Sequence, residues 1–294
     1  MDGEMLPIRK VGIEAVTIKH EASPDKGKAT VNSPVGIFDS GVGGLTVMSE
    51  FVRQLPNEDV IYLADTARVP YGGRPEEEII KINQEIMSFF IGREAKLVII
   101  ACGTSSSIAY PKEKDKYHIP MVAMIEPGAR AALAATRSGK IGVMATMGTV
   151  NSGAFPKAIH EMKKEAEVHQ IACPLFVPLI EGGFIEADET RKVAKEYLKP
   201  LLKEGVDTII LGCTHYPHLK RVIAELADGN ITLIDPASEV VRDAKAVLNK
   251  RGLIKSKPSP AKYEYFVTGS PVQFSDIASR LMGRPVAGVK QVKL

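Results

Sequence analysis

The chain alternates between short apolar runs and longer amphipathic stretches from about Pro34 onward. Uninterrupted runs of four or five apolar residues are typical of strands buried on both faces of a parallel sheet. The stretches between them repeat their apolar residues at helical spacing, and this alternation predicts an α/β fold with mainly parallel sheets. The predicted strands are Val35–Phe38, Val60–Leu63, Leu97–Ala101, Met121–Ile125, Ile141–Ala145, Thr208–Leu211, Ile231–Ile234 and Tyr263–Val267, and the clearest helices are Glu76–Ile91, Arg130–Arg137, Glu189–Lys203 and Ser238–Lys250.

Two of the predicted strands end in the same way. The stretch "VIIACGT" places Cys102 after a buried strand, and "IILGCTH" does the same with Cys213, about one domain length further along the chain. The repeat predicts two similar α/β domains that each offer one cysteine to a shared cleft, because ligands of such folds bind beyond the carboxyl ends of the strands. A helix that begins beside each cysteine would favour its thiolate, the reactive form.

Composition narrows the class of protein. With 294 residues, 45% of them hydrophobic and 25% charged, the chain is typical of one large or two modest globular domains. A net charge of +3 without basic clusters argues against a nucleic-acid partner, and no apolar run is long enough to span a bilayer. Three cysteines make no disulfide framework, so we expect a cytoplasmic protein. Residues 1–33 are predicted to be a mobile N-terminal extension, with a short ordered piece around Ile13–Ile18.

A glycine-rich turn follows the first predicted strand. In "GIFDSGVGGLTV", Asp39 and Ser40 stand at the strand end, and Gly41, Gly43 and Gly44 precede a helix. Main-chain N–H groups in such a turn suit a phosphate or a small carboxylate, although the spacing matches neither the Walker pattern nor G-x-G-x-x-G. The alternative is that Asp39 and Ser40 only cap the helix.

A second loop and a third cysteine complete the candidates. The irregular segment "YLADTARVPYGGRP" offers the Tyr71 hydroxyl and the main chain of Gly72, which suit a ligand, although a plain surface loop is the alternative. Cys173 stands between Ala172 and Pro174 in an apolar run, and we assign it to packing.

The two strand-end cysteines allow several interpretations. Free cysteine is often a buried small hydrophobe, but two in matching contexts favour chemistry. Zinc held by Cys213, His215 and His218 would need close-set cysteine pairs that the chain lacks, so we expect no metal. A Cys213–His215 nucleophile leaves Cys102 without a role. Removal of a proton from one face of a carbon and delivery to the other uses both thiols, with Asp39 and His215 as the neighbours that tune them.

These motifs together resemble the glutamate racemases of the aspartate/glutamate racemase family. The matching stretches are "GIFDSGVGGLTV", "DTARVPYGGR", "IACGTSS", "IEPG", "PLIEGG" and "LGCTHYPHL". The resemblance implies a cofactor-independent isomerase that interconverts L- and D-glutamate and supplies D-glutamate for peptidoglycan, and hence for cell shape. It implies a small-molecule substrate, no nucleic-acid or membrane partner, and leaves a homodimer open. It also implies one domain of residues 34–127 plus 237–294, another of 128–236, and an active site in the cleft between them.

The resemblance assigns roles to individual residues. Cys102 is expected to deprotonate the D-enantiomer with help from Asp39, and Cys213 the L-enantiomer with help from His215 and Glu181. Glu181 has a plainer alternative, which is to cap a turn, and one of the substrate-binding threonines, at position 149, could only begin a helix. The substrate-binding residues that the resemblance implies are Asp39, Ser40, Tyr71, Gly72, Gly103, Thr104, Thr146, Thr149, Thr214 and His215.

Gly103 departs from the family pattern, in which asparagine commonly follows the first cysteine. The missing amide leaves main-chain groups, neighbouring hydroxyls or water to contact the substrate, so we expect Gly103→Asn to be tolerated and to alter KM more than kcat. Glu126 of "IEPG" is predicted to be a hinge residue rather than a catalyst. The alternatives are a racemase of aspartate or another amino acid, a Cys/His amide hydrolase, and a binding protein without turnover; "CTHYP" and "PYGG" favour glutamate, and the intact cysteine pair favours turnover.

Overall fold

The computed structural model describes residues 16–17, 29–227, 229–256 and 260–294. The predicted mobility of the N-terminal extension concerns residues that lie, for the most part, outside these ranges. Within the extension Val16–Thr17 form a short strand, and a turn at residues 30–33, closed by a bond from the Ser33 N–H to the Thr30 carbonyl over 3.1 Å, leads into the folded body.

The strands pair in parallel throughout the described residues. All eight predicted strands are present, with ends within two residues of those expected, and the predicted α/β fold class is confirmed. In chain order the strands are β1 Val16–Thr17, β2 Val35–Asp39, β3 Val60–Ala64, β4 Leu97–Ile100, β5 Met121–Ala123, β6 Lys140–Ala145, β7 Glu167–Ala172, β8 Thr208–Leu211, β9 Thr232–Ile234, β10 Tyr263–Val267 and β11 Lys290–Lys293.

The strands form two sheets. The first has the order β1-β11-β10-β3-β2-β4-β5, and the second the order β7-β6-β8-β9. Every residue of β2, β3 and β4 is buried, which explains why their sequences are apolar without alternation. β7 was not predicted, because it lies at the edge of the second sheet and half-exposes polar residues such as His169 and Gln170. β11, in "KQVK", was missed for the same reason, since only its valine is buried.

Helices cover both faces of the two sheets. The helix predicted at Arg130–Arg137 begins earlier, at Ile125, and ends at Ala135 because Thr136 is extended. The helices are α1 Leu45–Gln54, α2 Glu76–Ile91, α3 Gly103–Ile108, α4 Tyr110–Glu113, α5 Ile125–Ala135, α6 Met147–Asn151, α7 Ala154–Met162, α8 Phe176–Glu181, α9 Asp188–Lys203, α10 Lys220–Leu226, α11 Ala237–Lys250 and α12 Pro271–Met282, with a 3-10 helix at Tyr216–Leu219. None of these described helices is long and apolar enough to cross a membrane.

The chain passes from the first sheet to the second through α5 and returns through α11. The expected boundary between residues 127 and 128 therefore falls inside α5, and the boundary between 236 and 237 falls at the start of α11. We keep the division into 34–127 plus 237–294 and 128–236 as a proposal.

Apolar side chains pack on both faces of each sheet and hold the strands rigidly. The carboxyl ends of β2 and β4 in the first sheet, and of β6 and β8 in the second, carry most of the polar residues singled out above. This arrangement brings residues more than a hundred positions apart into one region.

Candidate active site

Cys102 lies between β4 and α3, where its extended backbone (φ −78°, ψ 122°) makes it the N-cap residue of the helix. Its side chain is 4% exposed, and its thiol donates a weak hydrogen bond to Oγ of Ser40 over 3.9 Å. Burial, followed by the charge of Asp39, raises the pKa of Cys102 to about 12. The expectation that the helix N-terminus favours a thiolate here is wrong, because burial and the nearby carboxylate outweigh the short helix.

Asp39 is the last residue of β2, and its carboxylate is held by the glycine-rich turn. Oδ2 accepts hydrogen bonds from the N–H groups of Gly41 over 3.3 Å and Gly44 over 2.9 Å, directly before α1 begins. The capping alternative is met only in part, because Asp39 holds the turn before α1 whereas the N-cap residue of that helix is Gly44. The same carboxylate also lies close enough to Cys102 to influence its titration, so the two interpretations are compatible.

Cys213 follows β8 and faces a histidine and a glutamate from its own side of the cleft. Its side chain is 7% exposed, and its Sγ lies 3.9 Å from Nδ1 of His215. Nε2 of His215 lies 2.9 Å from Oε1 of Glu181, the last residue of α8. Burial opposes protonation of the ring, but the hydrogen bonds to Cys213 and Glu181 outweigh it and raise the pKa of His215 to about 10. These bonds therefore favour the protonated, cationic form of the ring.

Tyr71 is buried at the rim of this region, and its hydroxyl is already engaged. It donates a hydrogen bond to Oδ2 of Asp65, which also accepts one from Nε of Arg68 over 2.6 Å. Burial and the Asp65 charge raise the pKa of Tyr71 well above its ordinary value. Asp65 positions the loop and was missed by the sequence analysis, although it stands one residue after β3, where the strand-end rule could have found it.

Hydroxyl groups join the two sides of the cleft. Oγ1 of Thr104, at the start of α3, lies 3.0 Å from Oγ1 of Thr146, which follows β6. Thr146 caps α6 and is also 3.1 Å from the Thr149 hydroxyl, so the structure agrees with a helix-start role for Thr149. On the other side, the Thr46 hydroxyl donates to the carbonyl of Thr214 over 3.3 Å.

Gly103 offers main chain only, and its surroundings leave no room for a side chain. A methyl group at this position would lie less than 3.0 Å from the carbonyl oxygen of Gly212, a distance that real Cβ atoms do not adopt. Its φ is not positive, so the glycine is required for space rather than for conformation. The expectation that asparagine is readily tolerated at position 103 is contradicted by this contact.

Three candidates from the sequence remain, namely Cys173, Glu126 and Gly72. Cys173 is fully buried beside Phe176 in the core of the second sheet, in agreement with its assignment to packing. Glu126 is exposed in the first turn of α5, which connects the two sheets. Gly72 lies against Thr146, from which a methyl group at its position would be separated by 3.1 Å.

The two thiols of the assembled site differ in the charged groups beside them. The charge of Cys213 raises the pKa of Cys102, which places the two groups within electrostatic reach of each other. One side has a carboxylate as its neighbour and the other an imidazolium, and this asymmetry suits a proton acceptor facing a proton donor. Two parallel sheets, each with a buried thiol at a strand end, indicate the class of α/β isomerases.

Comparison with known proteins agrees with this class. A family model described as Asp/Glu/Hydantoin racemase matches residues 35–244. The glutamate racemase of Geobacter metallireducens is 45% identical over 260 residues, which cover 88% of this chain and 96% of that protein. The structure of glutamate racemase isoform RacE1 from Bacillus anthracis has a TM-score of 0.86 at 38% identity and covers 89% of this chain and 98% of its own. Glutamate racemase from Francisella tularensis, solved in complex with D-glutamate, has a TM-score of 0.83 at 35% identity, with coverage of 90% and 98%.

The chain belongs to the Asp/Glu/hydantoin racemase family, and the resemblance to its glutamate racemases that the motifs indicated is confirmed.

Proposed function

We propose that this isomerase interconverts L- and D-glutamate without a cofactor, with Cys102 and Cys213 as the two bases on opposite faces of the α-carbon. The observation that carries the proposal is the pair of buried thiols at matching strand ends of the two sheets, close enough that the charge of Cys213 contributes to the raised pKa of Cys102. One thiolate removes the α-proton while the opposite thiol supplies a new one, so the stereocentre inverts and the proton count is unchanged.

The charged groups beside the two thiols favour one arrangement of the protons in the site. Burial and the Asp39 charge raise the pKa of Cys102 and so favour its protonated form, and the raised pKa of His215 favours a cation 3.9 Å from the sulfur of Cys213. L-glutamate can then lose its proton to Cys213 and gain one from Cys102. D-glutamate reacts with Cys102 as thiolate and Cys213 as thiol, which is the same total number of protons distributed differently.

Asp39 and Glu181 support this chemistry from opposite sides. A carboxylate beside Cys102 makes that sulfur a stronger base when it acts on D-glutamate, because it raises the thiol pKa. Glu181 holds the His215 ring through Nε2, and thereby keeps Nδ1 directed at the sulfur of Cys213. Asp39 therefore acts through Cys102, and Glu181 acts through His215.

Polar groups on both sides of the thiols supply the contacts that hold the substrate. A dicarboxylic amino acid needs donors for two carboxylates and acceptors for an ammonium group, and hydroxyls serve as either. The residues to which we assign substrate binding are Asp39, Ser40, Tyr71, Gly72, Gly103 through its main chain, Thr104, Thr146, Thr149, Thr214 and His215.

The relatives support glutamate as the substrate. The similar curated proteins and solved structures described above are named glutamate racemases, and one of them was solved with D-glutamate. We further propose a cytoplasmic reaction whose D-glutamate is used for peptidoglycan, which agrees with three free cysteines among the described residues.

Circular dichroism tests the overall reaction. The protein is dialysed exhaustively against a chelator and incubated with L- or D-glutamate without added cofactor. We expect the optical signal of either enantiomer to decay to zero. A signal that decays with aspartate but not with glutamate would show that aspartate is the substrate. Activity that returns only after metal is added would contradict the cofactor-independent mechanism. A covalent acyl-enzyme seen by mass spectrometry would indicate the amide hydrolase.

Single cysteine variants test the two-base assignment. Each base reaches one face of the α-carbon, so Cys213→Ser should slow deuterium exchange at the α-carbon of L-glutamate more than of D-glutamate, and Cys102→Ser should do the reverse. Exchange is followed for each enantiomer separately in D₂O. Equal damage to both enantiomers by both variants would contradict the assignment and indicate a nucleophilic or structural role.

A further inference from the structure

A buried tyrosine hydroxyl lies against the glycine-rich turn that holds Asp39. Tyr62 is the middle residue of β3, and its side chain is fully buried. Its hydroxyl donates a hydrogen bond to the main-chain carbonyl of Gly41 over 2.9 Å. A methyl group at Gly44 would lie 2.8 Å from this hydroxyl and 2.7 Å from Cβ of Asp39. The tyrosine therefore reaches the turn at the place where the carboxylate is bound.

Gly41 is held at both of its main-chain groups. Its N–H donates to Oδ2 of Asp39 over 3.3 Å, and its carbonyl accepts the hydrogen bond from Tyr62. Glycine loses more conformational freedom on folding than any other residue, so a turn with glycine at positions 41, 43 and 44 depends strongly on bonds from outside it. The Tyr62 hydroxyl supplies such a bond from the core of the first sheet.

Tyr62 is itself well fixed. In the sheet it lies between β2 and β10, paired with Ile37 on one side and Tyr265 on the other. Its ring packs against that of Phe274, with 6.1 Å between the ring centres. Burial, followed by the charges of Asp39 and Cys102, raises the pKa of Tyr62 well above its ordinary value. These surroundings favour the protonated hydroxyl, which is the form that donates to the turn.

We propose that Tyr62 is a positioning residue for the racemisation: through Gly41, its hydroxyl fixes the turn that holds the Asp39 carboxylate beside Cys102. The inference rests on the function proposed above, in which Asp39 makes Cys102 a stronger base. Because Tyr62 acts through Asp39, its hydroxyl should matter for turnover only while residue 39 carries a charge.

A double-mutant cycle tests this dependence. Tyr62→Phe keeps the ring and removes the hydroxyl, and one neutral hydrogen bond corresponds to roughly 2- to 10-fold in an equilibrium. We therefore expect Tyr62→Phe to lower kcat for L-glutamate by up to about 10-fold, with a smaller change in KM. In an Asp39→Asn protein, the same substitution should lower kcat by less than about twofold, because residues that act through one another do not contribute additively.

Tyr265→Phe is the matched control. Tyr265 pairs with Tyr62 in the neighbouring strand, and the two rings pack at 6.4 Å between their centres. In the part of the chain that the structure describes, however, the hydrogen bond from a tyrosine to the Gly41 carbonyl comes from Tyr62. We expect Tyr265→Phe to retain the wild-type kcat and KM.

Hydrogen exchange measures the turn independently of turnover. The N–H groups of Gly41 and Gly44 are bonded to Asp39, so their exchange reports how firmly the turn is held. Mass spectrometry of the peptide that contains both should show severalfold faster exchange in Tyr62→Phe than in the wild type and Tyr265→Phe. Peptides from α9, which packs in the core of the second sheet, serve as the internal reference and should exchange at the wild-type rate.

The outcomes separate the inference from the function on which it rests. An unchanged kcat in Tyr62→Phe, an equal loss in the Asp39→Asn protein, or unchanged exchange of the turn would overturn the proposal. Faster exchange in α9 as well would show that Tyr62 only supports the fold, and would overturn it too. A wild type that does not racemise glutamate would refute the proposed function, while the exchange of the turn would still decide whether Tyr62 holds it.

Discussion

Glu181→Gln should move the alkaline limit of racemisation to lower pH. The Glu181 carboxylate lies 2.9 Å from Nε2 of His215, whose ring is 3% exposed. Despite the opposing effect of burial, hydrogen bonds to Cys213 and Glu181 raise the pKa of His215 to about 10. Glutamine keeps the size of the side chain and an acceptor oxygen but removes the charge, so the imidazolium loses part of its stabilisation.

The magnitude follows from the kind of hydrogen bond that is lost. A bond to a charged group contributes about 1.5–3 kcal/mol and one to a neutral group about 0.5–1.5 kcal/mol, so the charge accounts for roughly 1–1.5 kcal/mol. Since about 1.4 kcal/mol corresponds to one pKa unit, the pKa of His215 should fall by about one from its raised value. In the proposed mechanism Cys102, Cys213 and His215 together hold two protons, and one of them is lost when His215 titrates.

The assay is kcat/KM for glutamate racemisation from neutral to strongly alkaline pH. The two directions must give the same value, because the equilibrium constant between enantiomers is one. The ammonium group of the substrate titrates identically for both proteins, so the comparison isolates the enzyme. We expect the alkaline limb of the Glu181→Gln profile to lie about one pH unit below that of the wild type.

Glu186→Gln is the control, because Glu186 is an exposed residue near Glu181 that pairs with Arg221 at the surface. Its profile should coincide with that of the wild type. An alkaline limb of Glu181→Gln that also coincides with the wild type would refute the role assigned to the carboxylate. A uniform loss of activity at every pH would show that Glu181 only supports the local structure.

Two further predictions concern stability away from the site. In the wild type, Nζ of Lys96 lies 2.5 Å from the buried carboxylate of Glu58. Lys96→Met removes this ion-pair partner and should lower the free energy of unfolding by about 3–5 kcal/mol in denaturant titrations. A Lys96→Met/Glu58→Leu double variant should recover part of this loss, and no recovery would contradict the argument. Burial opposes ionisation of Asp207, but hydrogen bonds from Thr136 and the N–H of Ser138 outweigh it and hold its pKa well below the ordinary value. The stabilisation that the ionised Asp207 contributes is present above about pH 4 and is lost as pH falls further. The difference in free energy of unfolding between the wild type and Asp207→Asn should therefore shrink on acidification. A difference that stays constant would count against this account.

The elements predicted from sequence and those that were missed differ in burial. Strands such as β2, β4 and β8 are buried along their whole length, and their continuous apolar runs are readable without any tertiary information. β7 and β11 contain many polar residues, so their sequences lack the apolar run that predicts a strand. Pairing of β7 with β6, and of β11 with β10, stabilises them as strands. The beginning of α5 was missed because Met121–Ile125 continues the apolar pattern, and the chain turns from strand to helix within it.

The sequence by itself determined the fold class and singled out Cys102, Cys213 and His215 as candidate site residues, because the carboxyl end of a buried strand is recognisable from the residues next to it. Tertiary structure alone decided the electrostatic surroundings of Cys102: burial and the Asp39 charge raise its pKa although it caps the start of a helix. The surroundings of Gly103 were likewise decided by tertiary structure. The sequence indicated only that a side-chain amide is absent at this position, whereas the structure places the residue against the carbonyl of Gly212. Local patterns record the neighbours along the chain, whereas contacts between residues a hundred positions apart arise only when two sheets pack.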